Sequence, residues 1–247
     1  MSRRDLFRAI QAITFDVTNV LLTIRKSAAH QYARLAREHL DIRSVDEGLL
    51  RTNFIHAFRN LNQIHPGYGI HTNISSRQWW ALIVEHTFKD AHLSSEQLNQ
   101  LSRIIYDEFA KGDLWIKHPQ ADQVLKELQK RGRVLGVISN FDERLESILE
   151  QHQLRAYFQF ILTPRNCGLY KPQAEIFTHA ARLGHIESNG NLCHIGDDVK
   201  LDYQAGRTAH CQVLLLTKNK ENFLKEHGDI DANHLIENLD ELLEIFS

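Results

Sequence analysis

Cysteine is scarce in this sequence, and its cysteines are not arranged as a disulfide framework. Cys167, Cys193 and Cys211 are odd in number and lie far apart along the chain. Secreted domains that depend on disulfides carry paired cysteines, whereas a few dispersed thiols are typical of proteins in a reducing compartment. We therefore expect a reducing environment and no disulfide framework.

Long apolar runs and blocks of like charge are also missing. No run of about 18 apolar residues is present, so we expect no transmembrane helix and no membrane partner. Lys and Arg number 29 and Asp and Glu 31, and no basic block of the kind that binds nucleic acid is found. The 15 histidines are scattered, without the spacing of a zinc site. We expect no nucleic-acid partner.

The opening stretch MSRRDLFRAIQAITF lacks the features of a targeting segment. Its apolar residues form no run long enough for a signal peptide. Asp5 counts against a transit peptide, because such peptides are poor in acidic residues. The sequence therefore predicts a cytoplasmic protein and leaves a mitochondrial or nuclear location open.

The first half of the chain has mainly helical periodicity. A length of 247 residues with 43% hydrophobic side chains suits one core domain with a sizeable insertion. A buried strand is predicted at 12–16, where AITFD ends on an acidic residue. Apolar residues at three- and four-residue spacing then predict helices at 27–41, 45–61, 76–89 and 94–110. Residues 23–115 are therefore interpreted as a helical insert.

The second half alternates between strands and helices. Short apolar runs predict strands at 134–139, 158–162, 191–196 and 211–216. Amphipathic stretches predict helices at 119–131, 142–152, 173–184 and 200–208. This alternation is typical of a parallel sheet covered on both faces, which places the chain in the α/β class.

Polar side chains follow the ends of the predicted strands. They are Asp16, Ser139, Asn140, Lys171, Asp197, Asp198 and Asp202. Each one alone could be a helix cap, a turn residue or a solvated side chain. In parallel sheets, however, functional groups collect outside the carboxyl ends of the strands. The set therefore predicts one site, provided that the strands are adjacent.

The order of these residues resembles the motifs of the haloacid dehalogenase-like hydrolase superfamily. The resemblance rests on Asp16, then Ser139, then Lys171, and finally the stretch GDDVKLDYQ at 196–204. SRQWW at 76–80 and ISNFDERLE at 138–146 are similar to an animal branch of that superfamily. The resemblance covers essentially the whole chain.

The resemblance implies a specific fold and domain organisation. The fold would be a Rossmann-like parallel sheet core with an inserted α-helical cap. Residues 1–22 and 116–247 would form the core, and residues 23–115 the cap.

Adjacent helical residues point about 100° apart, so Trp79 and Trp80 cannot both face a pocket, and we expect one of them in the core.

The resemblance also implies a phosphoaspartate mechanism. Asp16 would be the nucleophile, since a carboxylate can carry a phosphoryl group covalently. Mg²⁺ would be held by the side chains of Asp16 and Asp197 and by the backbone carbonyl of Thr18. Ser139 and the backbone N–H of Asn140 would donate to the phosphoryl oxygens.

Further residues would support this chemistry. Lys171 would pair with both Asp16 and the phosphoryl group, which keeps the nucleophile ionised and spreads the transition-state charge. Asp198 or Asp202 would accept a hydrogen bond from Lys171 or from a metal-bound water, without binding the metal itself. The substrate implied by this mechanism is a small phosphorylated molecule.

Thr18 departs from the family pattern. The family's phosphatases carry Asp-x-Asp-Gly-Thr, in which the second Asp is the general acid and base, whereas this chain has DVTNV at 16–20. A threonine hydroxyl is neither a workable acid nor a workable base at pH 7. Loss of such proton transfer commonly costs about 10²–10⁴-fold in rate.

Two functions therefore remain open. One is a Mg²⁺-dependent phosphatase-like hydrolase that acts, with slow turnover, on a small phosphomonoester. The other is a catalytically silent family member that binds a phosphorylated ligand or a protein partner. True dehalogenation is disfavoured, because it needs an aromatic residue in place of Thr18 and no metal ligand at Asp197. The sequence specifies neither the substrate nor the oligomeric state.

Overall fold

The chain folds into two compact units, as seen in a computed structural model that describes residues 3–42 and 45–247. The first, called here the sheet unit, comprises Met1–Thr23, Lys117–Asn140 and His152–Ser247. The second, called the helical unit, comprises Ile24–Ile116 and Phe141–Gln151. Within the described ranges, no helix is both long enough and apolar enough to cross a bilayer.

The described residues contain two sheets. Their strands are β1 (Ala12–Phe15), β2 (Leu22–Ile24), β3 (Trp115–Lys117), β4 (Val134–Ile138), β5 (Phe160–Leu162), β6 (Leu192–Gly196), β7 (Gln212–Leu216) and β8 (Leu235–Ile236). Six of them form one sheet in the order β5-β4-β1-β6-β7-β8, and β2 pairs with β3. All pairings within the larger sheet are parallel, which confirms the predicted α/β class with a Rossmann-like sheet.

Helices connect these strands and fill the helical unit. They are α1 (Arg3–Phe7), α2 (Ala28–Leu40), α3 (Glu47–Ile64), α4 (Pro66–Gly69), α5 (Ser76–Thr87), α6 (Ser95–Glu108), α7 (Ala121–Lys130), α8 (Leu145–Gln151), α9 (Pro164–Cys167), α10 (Glu175–Leu183), α11 (Ala205–Thr208), α12 (Lys220–Glu226) and α13 (Glu241–Ile245). A π-helical turn, Val199–Gln204, leads into α11.

The core of the sheet unit lies around β1, the third strand of the larger sheet. Phe15 on β1 is opposite Val137 on β4 and Ile195 on β6, so three strands end side by side. Helices α7 and α10 pack on β4 through fully buried apolar side chains at helical spacing. A Cβ at Gly136 would lie 2.3 Å from the ring of Phe160, so this close packing requires glycine.

Aromatic side chains form the core of the helical unit. The ring of Tyr32 on α2 stacks on Phe88 and meets Phe54 edge to face. Trp79 on α5 is fully buried, whereas its neighbour Trp80 is half-buried, as expected from their divergent directions. Burying aromatic side chains of this size dominates the energetics of a small core.

Side-chain caps fix where the long helices of this unit begin. The Asp46 carboxylate accepts from the backbone N–H groups of Gly48 and Leu49 at the start of α3. Ser75 and Ser94 each make a capping box, with Gln78 and Gln97 respectively, before α5 and α6.

The segment Phe141–Gln151 groups with the helical unit, whereas the predicted boundaries place it within the core range 116–247. Asp142 is fully buried and pairs with Arg144, whose Nη2 lies 2.5 Å from Asp142 Oδ2. Trp80 donates from Nε1 to the same carboxylate at 2.6 Å. The hydrogen bond from Trp80 ties the segment to α5, and strand and helix periodicity reveals neither this bond nor the ion pair.

Candidate active site

The predicted site residues all lie in the sheet unit, at the carboxyl ends of adjacent strands. Asp16 follows β1, Ser139 follows β4, and Asp197 follows β6. The backbone N–H of Asp16 donates to the carbonyl of Ile195 at 2.8 Å, which extends the strand pairing up to the site. The adjacency that the sequence could only assume is therefore present.

A tight turn follows Asp16. The N–H of Val17 donates to Asp16 Oδ1 at 2.7 Å, and the N–H of Leu21 donates to the Val17 carbonyl at 2.9 Å. Asn19 has a φ of 63°, the left-handed conformation that Asn tolerates better than most residues. This explains how Asn can occupy the position of the family's Gly.

Lys171 is the cation of the site. Its side chain is buried, and Nζ lies 3.3 Å from Asp16 Oδ2 and 2.6 Å from Asp202 Oδ1. Burial acts to lower the pKa of Lys171, but the two carboxylates outweigh it and raise the pKa above its ordinary value. The ammonium is therefore held charged between them.

Asn140 positions Lys171 through the backbone. Its Nδ2 donates to the Lys171 carbonyl and its Oδ1 accepts from the Lys171 N–H, both at 2.7 Å. Ser139 is buried, and its N–H donates to the carbonyl of Leu162 at 3.0 Å. The side chain of Asn140 therefore contacts the backbone of Lys171.

Asp202 connects several groups of the site through its two carboxylate oxygens. Its Oδ1 accepts from Lys171 Nζ and lies 2.9 Å from His194 Nε2, while its Oδ2 accepts from the N–H groups of Asp197 and Asp198 at 3.1 and 2.9 Å. A Cβ at residue 196 would lie 2.2 Å from Asp202 Cγ, so only Gly196 admits this carboxylate.

The same contacts control the ionisation of Asp202. Burial acts to raise its pKa, but the charge of Lys171 and the hydrogen bonds from Lys171 and His194 hold the pKa well below its usual range. The side chain of Asp198 has a different role from that of Asp202. Its Oδ1 caps the following turn by accepting hydrogen bonds from the N–H groups of Lys200 and Leu201. Of the two predicted supports, Asp202 is the one that contacts Lys171.

His194 is a member of the site that the sequence reasoning missed. It is fully buried on β6, with Nε2 beside Asp202 and Nδ1 3.0 Å from the hydroxyl of Thr14. Burial lowers the pKa of His194, so the ring is neutral and donates from Nε2 to the carboxylate while Nδ1 accepts from Thr14. A histidine inside the apolar run NLCHIG was the available signal, because buried polar groups need partners.

Three carboxylates could take part in holding a metal ion. One oxygen from each of Asp16, Asp197 and Asp202 lies within 4.8 Å of the others. Asp202 is fully buried, whereas Asp16 and Asp197 are only partly buried, so Asp16 and Asp197 are the more accessible ligands. Burial and the charge of Asp16 raise the pKa of Asp197 to about 7. A hard divalent cation fits this set of oxygen atoms, since it would relieve the repulsion between them.

A parallel sheet with carboxylates and a buried lysine at one edge defines an α/β protein of the Rossmann-like class with an enzyme-like site. A model of the haloacid dehalogenase-like hydrolases matches residues 10–210. The chain therefore belongs to the haloacid dehalogenase-like hydrolase family, as its motifs predicted.

Relatives within this family resemble the chain over nearly its whole length. Haloacid dehalogenase-like hydrolase domain-containing protein 3 of Homo sapiens is 34% identical over 236 residues, which cover 95% of this chain and 92% of that protein. The Rhythmically expressed gene 2 protein of Drosophila melanogaster is 29% identical over 248 residues, covering 96% and 94% respectively. The predicted animal branch is thereby confirmed.

A solved structure also shares the fold. The HAD-hydrolase YfnB of Bacillus subtilis, determined bound to magnesium, matches with a TM-score of 0.71 at 18% identity, over 96% of this chain and 99% of that one. At this level of identity the match shows the fold alone, so the chemistry has to be argued from the residues of the site.

Proposed function

We propose that this protein is a Mg²⁺-dependent phosphatase-like hydrolase that forms a phosphoaspartate at Asp16. The observation that carries the proposal is the position of Lys171, whose buried ammonium touches both Asp16 and Asp202. A lysine held in this way keeps a neighbouring carboxylate ionised and attracts a phosphoryl group. The substrate would be a small phosphomonoester, and the helical unit would act as the cap that selects it.

The residues of the site have distinct tasks in this mechanism. Asp16 attacks phosphorus and displaces the leaving oxygen, and water later releases phosphate from the carboxylate. Ser139 and the N–H of Asn140 bind phosphoryl oxygens, while Lys171 offsets the negative charge that builds up. Asp202 and Asn140 position Lys171 through the hydrogen bonds described above.

Asp16, Asp197 and the backbone carbonyl of Thr18 would hold the metal ion. When bound, Mg²⁺ neutralises charge between the nucleophile and the phosphoryl oxygens. Asp198 would act only through the turn that it caps. We propose a reducing, cytoplasmic setting for this activity.

The test is trapping of the phosphoenzyme. We expect wild-type protein with Mg²⁺ and a generic aryl phosphate to give an acid-stable phosphoryl adduct that maps to Asp16 by mass spectrometry. Asp16→Asn should remove the adduct and lower turnover by at least about 10³-fold, since the nucleophile is lost. Asp229 is exposed and lies in the same unit, so Asp229→Asn is the matched control. It should leave the adduct and the turnover unchanged.

Absence of both adduct and turnover with folded wild-type protein would contradict the proposal. Binding of phosphorylated metabolites without turnover would then support the silent-binder alternative, which the replacement of the family's acid by Thr18 keeps open.

A further inference from the structure

We infer that the phosphoryl donors of this site carry a leaving oxygen that departs as an anion without being protonated. That chemistry describes phosphomonoesters of phenols or enols, and acyl phosphates, but not phosphate esters of ordinary alcohols. The inference rests on the proposed phosphoaspartate function. It restricts the phosphomonoesters to those of weakly basic leaving groups, and it adds acyl phosphates, which are mixed anhydrides. Its starting point is the turn that follows Asp16.

The turn after Asp16 contains no side chain that can give up a proton at neutral pH. It runs Val17-Thr18-Asn19-Val20. The two valines are buried. The amide of Asn19 points to Asp197, with Nδ2 3.0 Å from Oδ2. The hydroxyl of Thr18 is too weak an acid to protonate a leaving oxygen.

The titratable side chains that the structure places around Asp16 already have other partners. Lys171 is held between two carboxylates, and Asp202 accepts hydrogen bonds on both of its oxygens. His194 is fully buried beneath Asp202 and donates to it. Asp197 accepts a hydrogen bond from Asn19 and is a proposed metal ligand. The cluster thus stabilises negative charge at phosphorus without supplying a proton to the group that leaves.

The balance of the first step shows which leaving groups suit such a site. An oxygen of Asp16 forms a bond to phosphorus, the bond from phosphorus to the leaving oxygen breaks, and that oxygen keeps the electron pair. In the loose transition state of phosphoryl transfer the leaving oxygen already carries much of this charge. A phenol has a pKa of about 10 and a carboxylic acid one of about 4, so both can leave as anions. An alkoxide is far more basic and needs a proton.

The second step needs no acid for the leaving group, but it needs a base for the attacking water. Water attacks phosphorus, the bond to Asp16 breaks, and the carboxylate leaves as an anion, while the proton of water passes to the released phosphate or to solvent. Activation of this water lacks a general base at residue 18. The phosphoenzyme is therefore expected to outlast its formation, so product release should begin with a burst.

The test measures how strongly phosphoenzyme formation depends on the basicity of the leaving group. Wild-type protein with Mg²⁺ is mixed in a rapid-quench apparatus with aryl phosphates whose phenols have pKa values from about 7 to about 10. Acetyl phosphate and glycerol 3-phosphate complete the series. We expect the rate to fall at least ten-fold across the aryl series, acetyl phosphate to react, and glycerol 3-phosphate to give no burst.

Two variants show whether residue 18 is the cause. Thr18→Asp should flatten the dependence and raise the rate with glycerol 3-phosphate at least ten-fold, within the range of about 10²–10⁴ that a positioned acid supplies. Thr18→Val, which has the same shape without a hydroxyl, should keep the steep dependence. Thermal denaturation of each variant shows that it is folded, and the wild-type series tests the inference by itself.

The outcomes separate the inference from the proposed function. A flat dependence in the wild type, with glycerol 3-phosphate as fast as the aryl esters, would overturn the inference and leave the phosphoaspartate mechanism standing. No adduct at Asp16 with any donor would overturn both. A burst with acetyl phosphate alone would assign acyl phosphates, and a burst with aryl phosphates alone would assign esters of phenols or enols.

Discussion

At the scale of single residues, Asn19 links the first turn to the proposed metal ligand. The amide donates to Asp197 Oδ2, and this hydrogen bond acts to lower the pKa of Asp197 against burial and the charge of Asp16. Asn19 is exposed, so its contribution is modest, as for other solvated hydrogen bonds. It nevertheless favours the ionised form of Asp197 that a cation needs.

We predict that Asn19→Gly weakens Mg²⁺ binding about two- to five-fold at pH 7, because one hydrogen bond of about 0.5–1 kcal/mol to the ligand is lost. Gly accepts the φ of 63°, so the turn itself should persist. Titration calorimetry at pH 7 and pH 9 checks this. The two proteins should converge at pH 9, where Asp197 is ionised in both, and a difference that grows with pH would contradict the explanation.

His194 gives a second prediction at this scale. His194→Leu removes a donor to Asp202 and leaves the Thr14 hydroxyl without its partner, so we expect a loss of about 2–4 kcal/mol in the free energy of unfolding. Thr14→Val should cost less, about 1 kcal/mol, because only one hydrogen bond is removed. Urea unfolding of both variants and the double variant checks this, and strict additivity would show that the two residues act independently.

At the scale of the elements, the segment Phe141–Gln151 depends on one ion pair. Asp142 is fully buried against Arg144, whose guanidinium also lies 4.0 Å from the ring centroid of Tyr106 and donates to its carbonyl. The stretches SRQWW and ISNFDERLE, which the sequence pointed to separately, meet here, since Trp80 donates to Asp142. Together they form one packed cluster inside the helical unit.

We predict that Asp142→Ala lowers the free energy of unfolding by about 3–5 kcal/mol, because it leaves the Arg144 charge buried without its partner. Adding Arg144→Leu should recover part of this loss. The control is Glu221→Ala in the exposed pair with Lys225, where we expect at most about 0.5 kcal/mol. Urea unfolding compares them, and an Asp142→Ala cost as small as the control would contradict the structural role.

Some of the observed helices and strands could be predicted from the sequence, and others could not. Apolar periodicity predicted the long helices of the helical unit and strands β1, β4, β5, β6 and β7 to within a few residues, since each helix buries one face and each of these strands is buried. It missed β2, β3 and β8, which have two or three residues and too little length for a pattern. It predicted a plain helix at 200–208, where the chain first makes a π-helical turn.

The positions of several site residues could be predicted because the sequence marks the ends of the strands. The order of Asp16, Ser139, Lys171 and Asp197 follows from the strand ends, which the sequence marks. The hydrogen bonds of His194 follow from strand register, which places it opposite Thr14, and register between distant strands is not written in either strand alone. The contact between the Asn140 side chain and the backbone of Lys171 joins two loops that are distant in sequence, so periodicity does not predict it either.

At the scale of the whole molecule, metal binding should couple to stability through Asp197. Burial and the charge of Asp16 raise its pKa from 3.8 to about 7, so the folded protein without metal binds a proton that the unfolded chain releases. The contribution of Asp197 to the free energy of unfolding is therefore greatest below about pH 4, and it is lost as the pH rises towards 7. His194 acts in the opposite direction, because its lowered pKa makes the unfolded chain bind the extra proton below about pH 6.5.

A comparison with and without Mg²⁺ isolates Asp197 from the other titrating groups. Mg²⁺ takes the place of the proton on Asp197, so its binding, and the stabilisation it gives, should increase as pH rises from 5 to 8. At a concentration of 100 times the dissociation constant a native-state ligand contributes about 2.7 kcal/mol, or roughly 5–10 °C in Tm for a chain of this size. Differential scanning calorimetry at pH 5, 6.5 and 8, with Mg²⁺ or with a chelator, measures the shift. Asp197→Asn should abolish it at every pH while Asp229→Asn retains it, and a Tm shift that is equal at all three pH values would rule out proton competition at Asp197.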